Sequence, residues 1–136
     1  MAITRLALST PSASTDTLLY TSSRNALVSV IATNKSSSIA ASIRVWVKPN
    51  GASTEAQNAY IVYDSIVPFT NTLETFRFPI VAGDQVYIKS STANLSFSLS
   101  GIYESNGTSN ITVATSSPSS PVIGDVYVNT ETSGVK

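Results

Sequence analysis

The chain has 136 residues, with eight basic and eight acidic side chains that cancel, no histidine and no cysteine. Only 12% of its residues are charged, against about 25% in an ordinary globular protein. This length suits one domain, or one domain with an appendage. The balance of charge lacks the basic stripe of a nucleic-acid binder, and the missing cysteines exclude disulfides and thiolate metal sites.

Residues 2–9 read as a first short strand, ended by Pro11 and a Ser/Thr run. Residues 17–22, TLLYTS, form a second. Residues 26–34, ALVSVIATN, form a third, with Ala26, Val28, Val30 and Ala32 as one wholly apolar face. After a polar turn comes residues 39–48, IAASIRVWVK, which holds the only tryptophan. Read with period two, Ile39, Ala41, Ile43, Val45 and Val47 share one face, and Arg44, Trp46 and Lys48 the other. Its length suits a central strand. Pro49-Asn50-Gly51 is a turn signal, because proline presets φ and Asn or Gly tolerates φ > 0.

Residues 52–58 make a polar loop with room for a brief helical turn. Residues 59–67, AYIVYDSIV, are aromatic and β-branched and read as a strand ending at Pro68. Residues 72–78, TLETFRF, follow, with Phe76 and Phe78 expected on one face, Thr75 and Arg77 on the other, and Pro79 closing the strand. Ala82-Gly83-Asp84 turns into residues 85–91, where Val86 and Ile88 oppose Tyr87 and Lys89. In residues 95–104, LSFSLSGIYE, Leu95, Phe97 and Leu99 alternate with Ser96, Ser98 and Ser100. About eight strands without helical periodicity, and prolines at strand ends or in loops, define an all-β chain. The expected fold is an antiparallel β-sandwich, Ig-like or jelly-roll-like.

That sandwich is expected over residues 1–104. Residues 105–121 are rich in Ser, Thr and Asn and read as a linker or arm. Residues 125–129 then open a strand, but the returning half of a hairpin stops after Val135 and Lys136. Either the natural chain continues, or this tail pairs with another molecule. The N-terminal MAITRLALST lacks the apolar length and cleavage pattern of a signal peptide. No run approaches the roughly 18 apolar residues of a membrane span.

Catalytic chemistry is poorly supplied. Without histidine there is no imidazole base, and the eight carboxylates fall singly along the chain. Asp64 and Glu74 could pair only through the fold, and isolated surface carboxylates are the commoner reading. No enzyme activity, cofactor or metal is expected. A binding face could form from Arg44, Trp46 and Lys48 with Tyr60, Tyr63 and Tyr87, since Tyr, Trp and Arg dominate interface energetics. For Trp46 the favoured expectation is burial in the sandwich core. Four Asn-x-Ser/Thr sequons, at Asn34, Asn94, Asn106 and Asn110, read as chance in so polar a chain.

Taken together, SIRVWVKPNG, AYIVYDSIVPFTNTLETFRFPIVAGDQVYIKSS and LSFSLSGIYE resemble a β-sandwich domain of virion structural proteins from tailed bacteriophages, marine and cyanobacterial phages among them. The terminal PVIGDVYVNTETSGVK is similar to short G-D-V-x-x-N-T segments of phage fibre and tail proteins. The resemblance implies a structural role as capsid decoration, neck, tail or fibre component. The protein would be made in the host cytoplasm and carried in the virion as a symmetric homo-oligomer among other virion proteins. Edge strands and terminal arms would join it to neighbours, with Val126, Tyr127 and Val128 in the C-terminal arm. A receptor- or host-glycan-binding module of a fibre, using Trp46 and the tyrosines, is the alternative, and an adhesin-like domain a third.

Overall fold

In the computed structural model the described residues are 3–104, and they form nine β-strands in two antiparallel sheets. The strands are β1 (Thr4–Ser9), β2 (Thr17–Thr21), β3 (Ala26–Asn34), β4 (Ala41–Lys48), β5 (Ala59–Val67), β6 (Thr72–Glu74), β7 (Phe78–Ile80), β8 (Gln85–Ser90) and β9 (Leu95–Tyr103). One sheet runs β1-β9-β3, with both β6 and β7 on the far side of β3. The other runs β2-β8-β4-β5, so β4 is central as its length suggests. Among the described residues the one helical turn is Glu55–Gln57, a 3-10 turn within the 52–58 loop. The expected all-β sandwich is therefore present.

Alternation explains how the sheets meet. Val28, Val30 and Ala32 from β3 and Leu95, Phe97 and Leu99 from β9 turn one way, into full burial. Ile43 and Val45 from β4 and Val86 and Ile88 from β8 meet them from the opposite sheet. Each of these valine, isoleucine, leucine and phenylalanine side chains contributes about 1.5–3 kcal/mol by leaving water, and Ala32 less. The intervening residues of β9, Ser96, Ser98 and Ser100, lie on the outer face.

Two loops are fixed by side-chain chemistry rather than by strand pairing. Gly51 has φ +86 in the turn after β4, where the Ala52 N–H donates to the Pro49 carbonyl at 2.9 Å. Asp84 accepts from the backbone N–H groups of Asn50 (3.0 Å) and Val81 (2.9 Å), tying that turn to the one before β8. The preceding Gly83 sits at φ +92 with Asn50 packed where a side chain would begin. The Ala82-Gly83-Asp84 turn expected from the sequence thus has a local structural reason.

Asn34 is the other such point. It is 1% exposed; its Nδ2 donates to the carbonyls of Ile39 (2.9 Å) and Val67 (3.0 Å), and its Oδ1 accepts from the Ser36 N–H (3.0 Å). One amide closes the 35–39 loop and ties β3 of one sheet to the end of β5 in the other. A buried amide so committed cannot carry a glycan without local unfolding, which agrees with reading this sequon as chance.

Four expectations need correction. Trp46 is buried, at 5% exposure, but on the outer face of its sheet, apart from the inter-sheet core. Its parity, opposite to Ile43, Val45 and Val47, decided its face, and neighbouring aromatic rings rather than the second sheet cover it. Residues 72–78 are not one regular strand: β6 and β7 are separated by a bulge that buries Thr75 and Phe78 and exposes Phe76, so the two phenylalanines lie on different faces. Pro79 lies inside β7 opposite Leu27 instead of closing a strand. It is tolerated because β7 is an edge strand. Ile39, expected on the buried face of β4, is exposed ahead of the strand's start.

Candidate interaction surfaces

The predicted face residues of β4, β5 and β8 assemble into a two-row grid on the outside of the second sheet. In one row Tyr87, Trp46 and Tyr60 stand directly opposite one another across three strands. The Trp46 ring centroid lies 5.5 Å from each tyrosine ring, stacked on Tyr87 and tilted 37° to Tyr60. Cross-strand aromatic pairs of this kind stabilise a sheet by about 0.5–1.5 kcal/mol beyond their burial. The second row is Lys89, Arg44 and Tyr63. Arg44 lies 4.1 Å over the Tyr63 ring, while Tyr63 meets Tyr60 edge-on at 4.9 Å.

Arg44 also makes a two-pronged contact with Asp64, Nε to Oδ1 at 2.7 Å and Nη2 to Oδ2 at 3.1 Å. Asp64 is the residue left without a partner where the β4–β5 register slips between Ile43 and Arg44, and it adopts φ +56. Aspartate tolerates this left-handed backbone better than most residues. Hydrogen bonding to Arg44 holds its carboxyl below the usual range, and the guanidinium is correspondingly raised. Tyr60 donates to Glu55 Oε2 at 3.0 Å, and its phenol is raised by burial first and by that bond second.

Between this grid and the 52–58 loop runs a polar groove of about 390 Å³, bordered by Trp46, Lys48, Glu55, Asn58, Tyr60 and Tyr87. Tyrosines flank Trp46 on both sides, so its ring is not free for a sugar to stack upon. Tyr63 is exposed but shares its ring with Arg44. The face offers hydrogen-bonding groups more than open aromatic surfaces. Val126, Tyr127 and Val128, the arm residues singled out in the sequence, lie outside the described residues, as does the arm itself.

A second surface has no counterpart in the sequence reading. Three residue steps of β3, Val28 to Ile31, face four in its partner, Glu74 to Phe78. The extra residue makes a bulge, a device that re-aims side chains at sheet edges. Thr75 anchors it: its N–H donates to the Val30 carbonyl (2.9 Å), and its Oγ1 accepts from the Val30 N–H (2.9 Å) and donates to the Phe76 carbonyl (2.8 Å). With Thr75 pinned inward, Phe76 is turned out to 90% exposure.

Beside it, on the outer face of the first sheet, lies a cavity of about 250 Å³ lined by Ile3, Leu27, Ile31, Ile102, Glu74 and Arg77 among others. An apolar groove of about 400 Å³ adjoins it along Leu27, Pro79, Val81 and Ile102. Gly101 forms part of the cavity floor; a Cβ there would lie 2.5 Å from the Leu27 carbonyl. Alternation alone could not reveal the bulge. Pro79 was the available signal, since it marks an edge strand, where bulges concentrate.

The described residues thus define a two-sheet all-β domain with a hydrogen-bonding face and an apolar face. The chain matches no protein-family model, no curated protein and no solved structure.

Proposed function

We propose that this chain is a non-enzymatic structural component of a tailed-bacteriophage virion, packed against neighbouring proteins in a symmetric assembly. The observation that carries the reading is Phe76, held out by an anchored bulge beside the apolar face of the first sheet. A large aromatic displayed in this way, among other exposed apolar residues, marks a contact surface. The charge-poor exterior suits crowded neighbours, and the resemblance of the strand and turn segments supplies the virion context. Register breaks in β1 and β2, and between β4 and β5, blunt strand addition at those edges and favour contact through a face. Quantitative mass spectrometry and antibody labelling of purified particles test the proposal. Many copies at one defined location are expected; absence from the particles overturns it.

The polar groove beside Tyr60 and Tyr87 favours a second reading, a glycan-binding module of a fibre. It requires saturable quenching of Trp46 emission by a host glycan, abolished in Tyr60→Ala. A flat response across a panel of surface glycans rejects it.

A further inference from the structure

We infer that the partner on the apolar face of the first sheet is a second copy of this chain, bound as an isologous pair in which each Phe76 enters the other copy's cavity beside Leu27 and Ile102. The inference deepens the assembly reading and rests on it only in taking that face as a contact surface. The knob and the hole are neighbours on one molecule: Thr75 and Arg77, the residues flanking Phe76, both line the cavity. A two-fold axis between them places each knob in the opposite hole at once, as an isologous contact requires. The size fits, because a cavity of about 150 Å³ accepts a benzene ring and this one is about 250 Å³.

The rim is self-complementary in charge as well. Glu74 and Arg77 stand on either side of Phe76, and the ion pairs found among the described residues, Arg44–Asp64 and Lys89–Asp16, involve neither. The same two-fold brings Glu74 of one copy towards Arg77 of the other. The bulge also lowers the entropic cost of binding. Hydrogen bonds from Thr75 to Val30 and Phe76 hold the segment's backbone before the partner arrives.

The test is sedimentation equilibrium of the full chain over a wide concentration range. A reversible monomer–dimer equilibrium is expected, weakened by about 30-fold or more in Phe76→Ala, as for a truncated anchor residue. Thermal unfolding of that variant extrapolated to low concentration should be unchanged, because Phe76 packs against almost nothing within the monomer. Glu74→Arg and Arg77→Glu should each weaken the dimer, and the double variant should restore it, a rescue that only a reciprocal contact produces. A monomer at every concentration, a dimer indifferent to Phe76→Ala, or absence of rescue in the double variant overturns the inference. A monomer that is nevertheless found in particles leaves the virion reading standing; a Phe76-dependent dimer absent from particles leaves only the self-contact.

Discussion

Arg44 and Asp64 grip each other through two hydrogen bonds across a slipped register, with Asp64 in left-handed backbone at the outer edge of β5. The Asp64 carboxyl is held below its usual range by the bond to Arg44. A group with a depressed folded value adds stability above its unfolded value, about 3.9 for aspartate, and the gain disappears as pH falls through the folded value. Asp64 is exposed and Arg44 only half-buried, so solvent screens the pair and the stability effect is small. The expected result is an Asp64 carboxyl titration, followed by NMR, below the usual range and returned towards it in Arg44→Leu. An unchanged titration in that variant contradicts the pairing.

Tyr20 of β2 and Tyr103 of β9 share a hydrogen bond that joins the two sheets. Burial, and then this bond, push the Tyr20 phenol up to about 12. A raised folded value favours the neutral phenol. Its contribution is complete below the unfolded value of about 10 and lost as pH rises through about 12. Denaturation midpoints should therefore fall across that alkaline window in the wild type, and less steeply in Tyr20→Phe. Equal slopes would remove Tyr20 from the account.

Asn34→Ala should cost about 2–4 kcal/mol, because it leaves the carbonyls of Ile39 and Val67 without their donor in a buried site. Asn34→Asp keeps the shape and one acceptor but loses both donated bonds, so it should also destabilise. Urea unfolding decides the matter. A loss below about 0.5 kcal/mol, the range of ordinary surface substitutions, would mean that water replaces the amide.

Trp46 and Phe97 are both buried but in different places, and their truncations should separate. Phe97→Ala opens a hole between the sheets and should cost about 3–5 kcal/mol. Trp46→Ala removes ring contacts and cover on the outer face, where water and the flanking tyrosines can fill the space, and should cost less than Phe97→Ala. Equal losses in denaturant unfolding would place Trp46 in the mechanical centre of the fold after all.

Much of this architecture was legible because β3, β4, β8 and β9 obey strict alternation, and alternation reports directly which side chains face the second sheet. Trp46 shows how that signal can be overruled wrongly. Its parity pointed outward, while its size suggested the core; parity set its location, and Tyr60 and Tyr87 supplied the cover. Phe76 shows the opposite limit. A single inserted residue reverses the phase of everything beyond it, and the hydrogen bonds of Thr75 to Val30 that stabilise the reversal join residues 45 apart in sequence. Asn34 was hidden for a similar reason, since its partners Ile39 and Val67 become neighbours only when the two sheets close.

The longest ladder in the domain joins Ala26–Asn34 to Leu95–Tyr103 in nine consecutive pairs, from Ala26↔Tyr103 to Asn34↔Leu95. This topology has a kinetic consequence. Such distant pairing must close a long loop before its contacts stabilise anything, and that entropic cost slows folding relative to locally connected chains. During synthesis the wholly apolar face of β3 must wait for β9, which emerges last among the strands of the sandwich. Refolding in milliseconds to seconds, with β3 and β9 gaining amide protection together, is the behaviour this connectivity dictates.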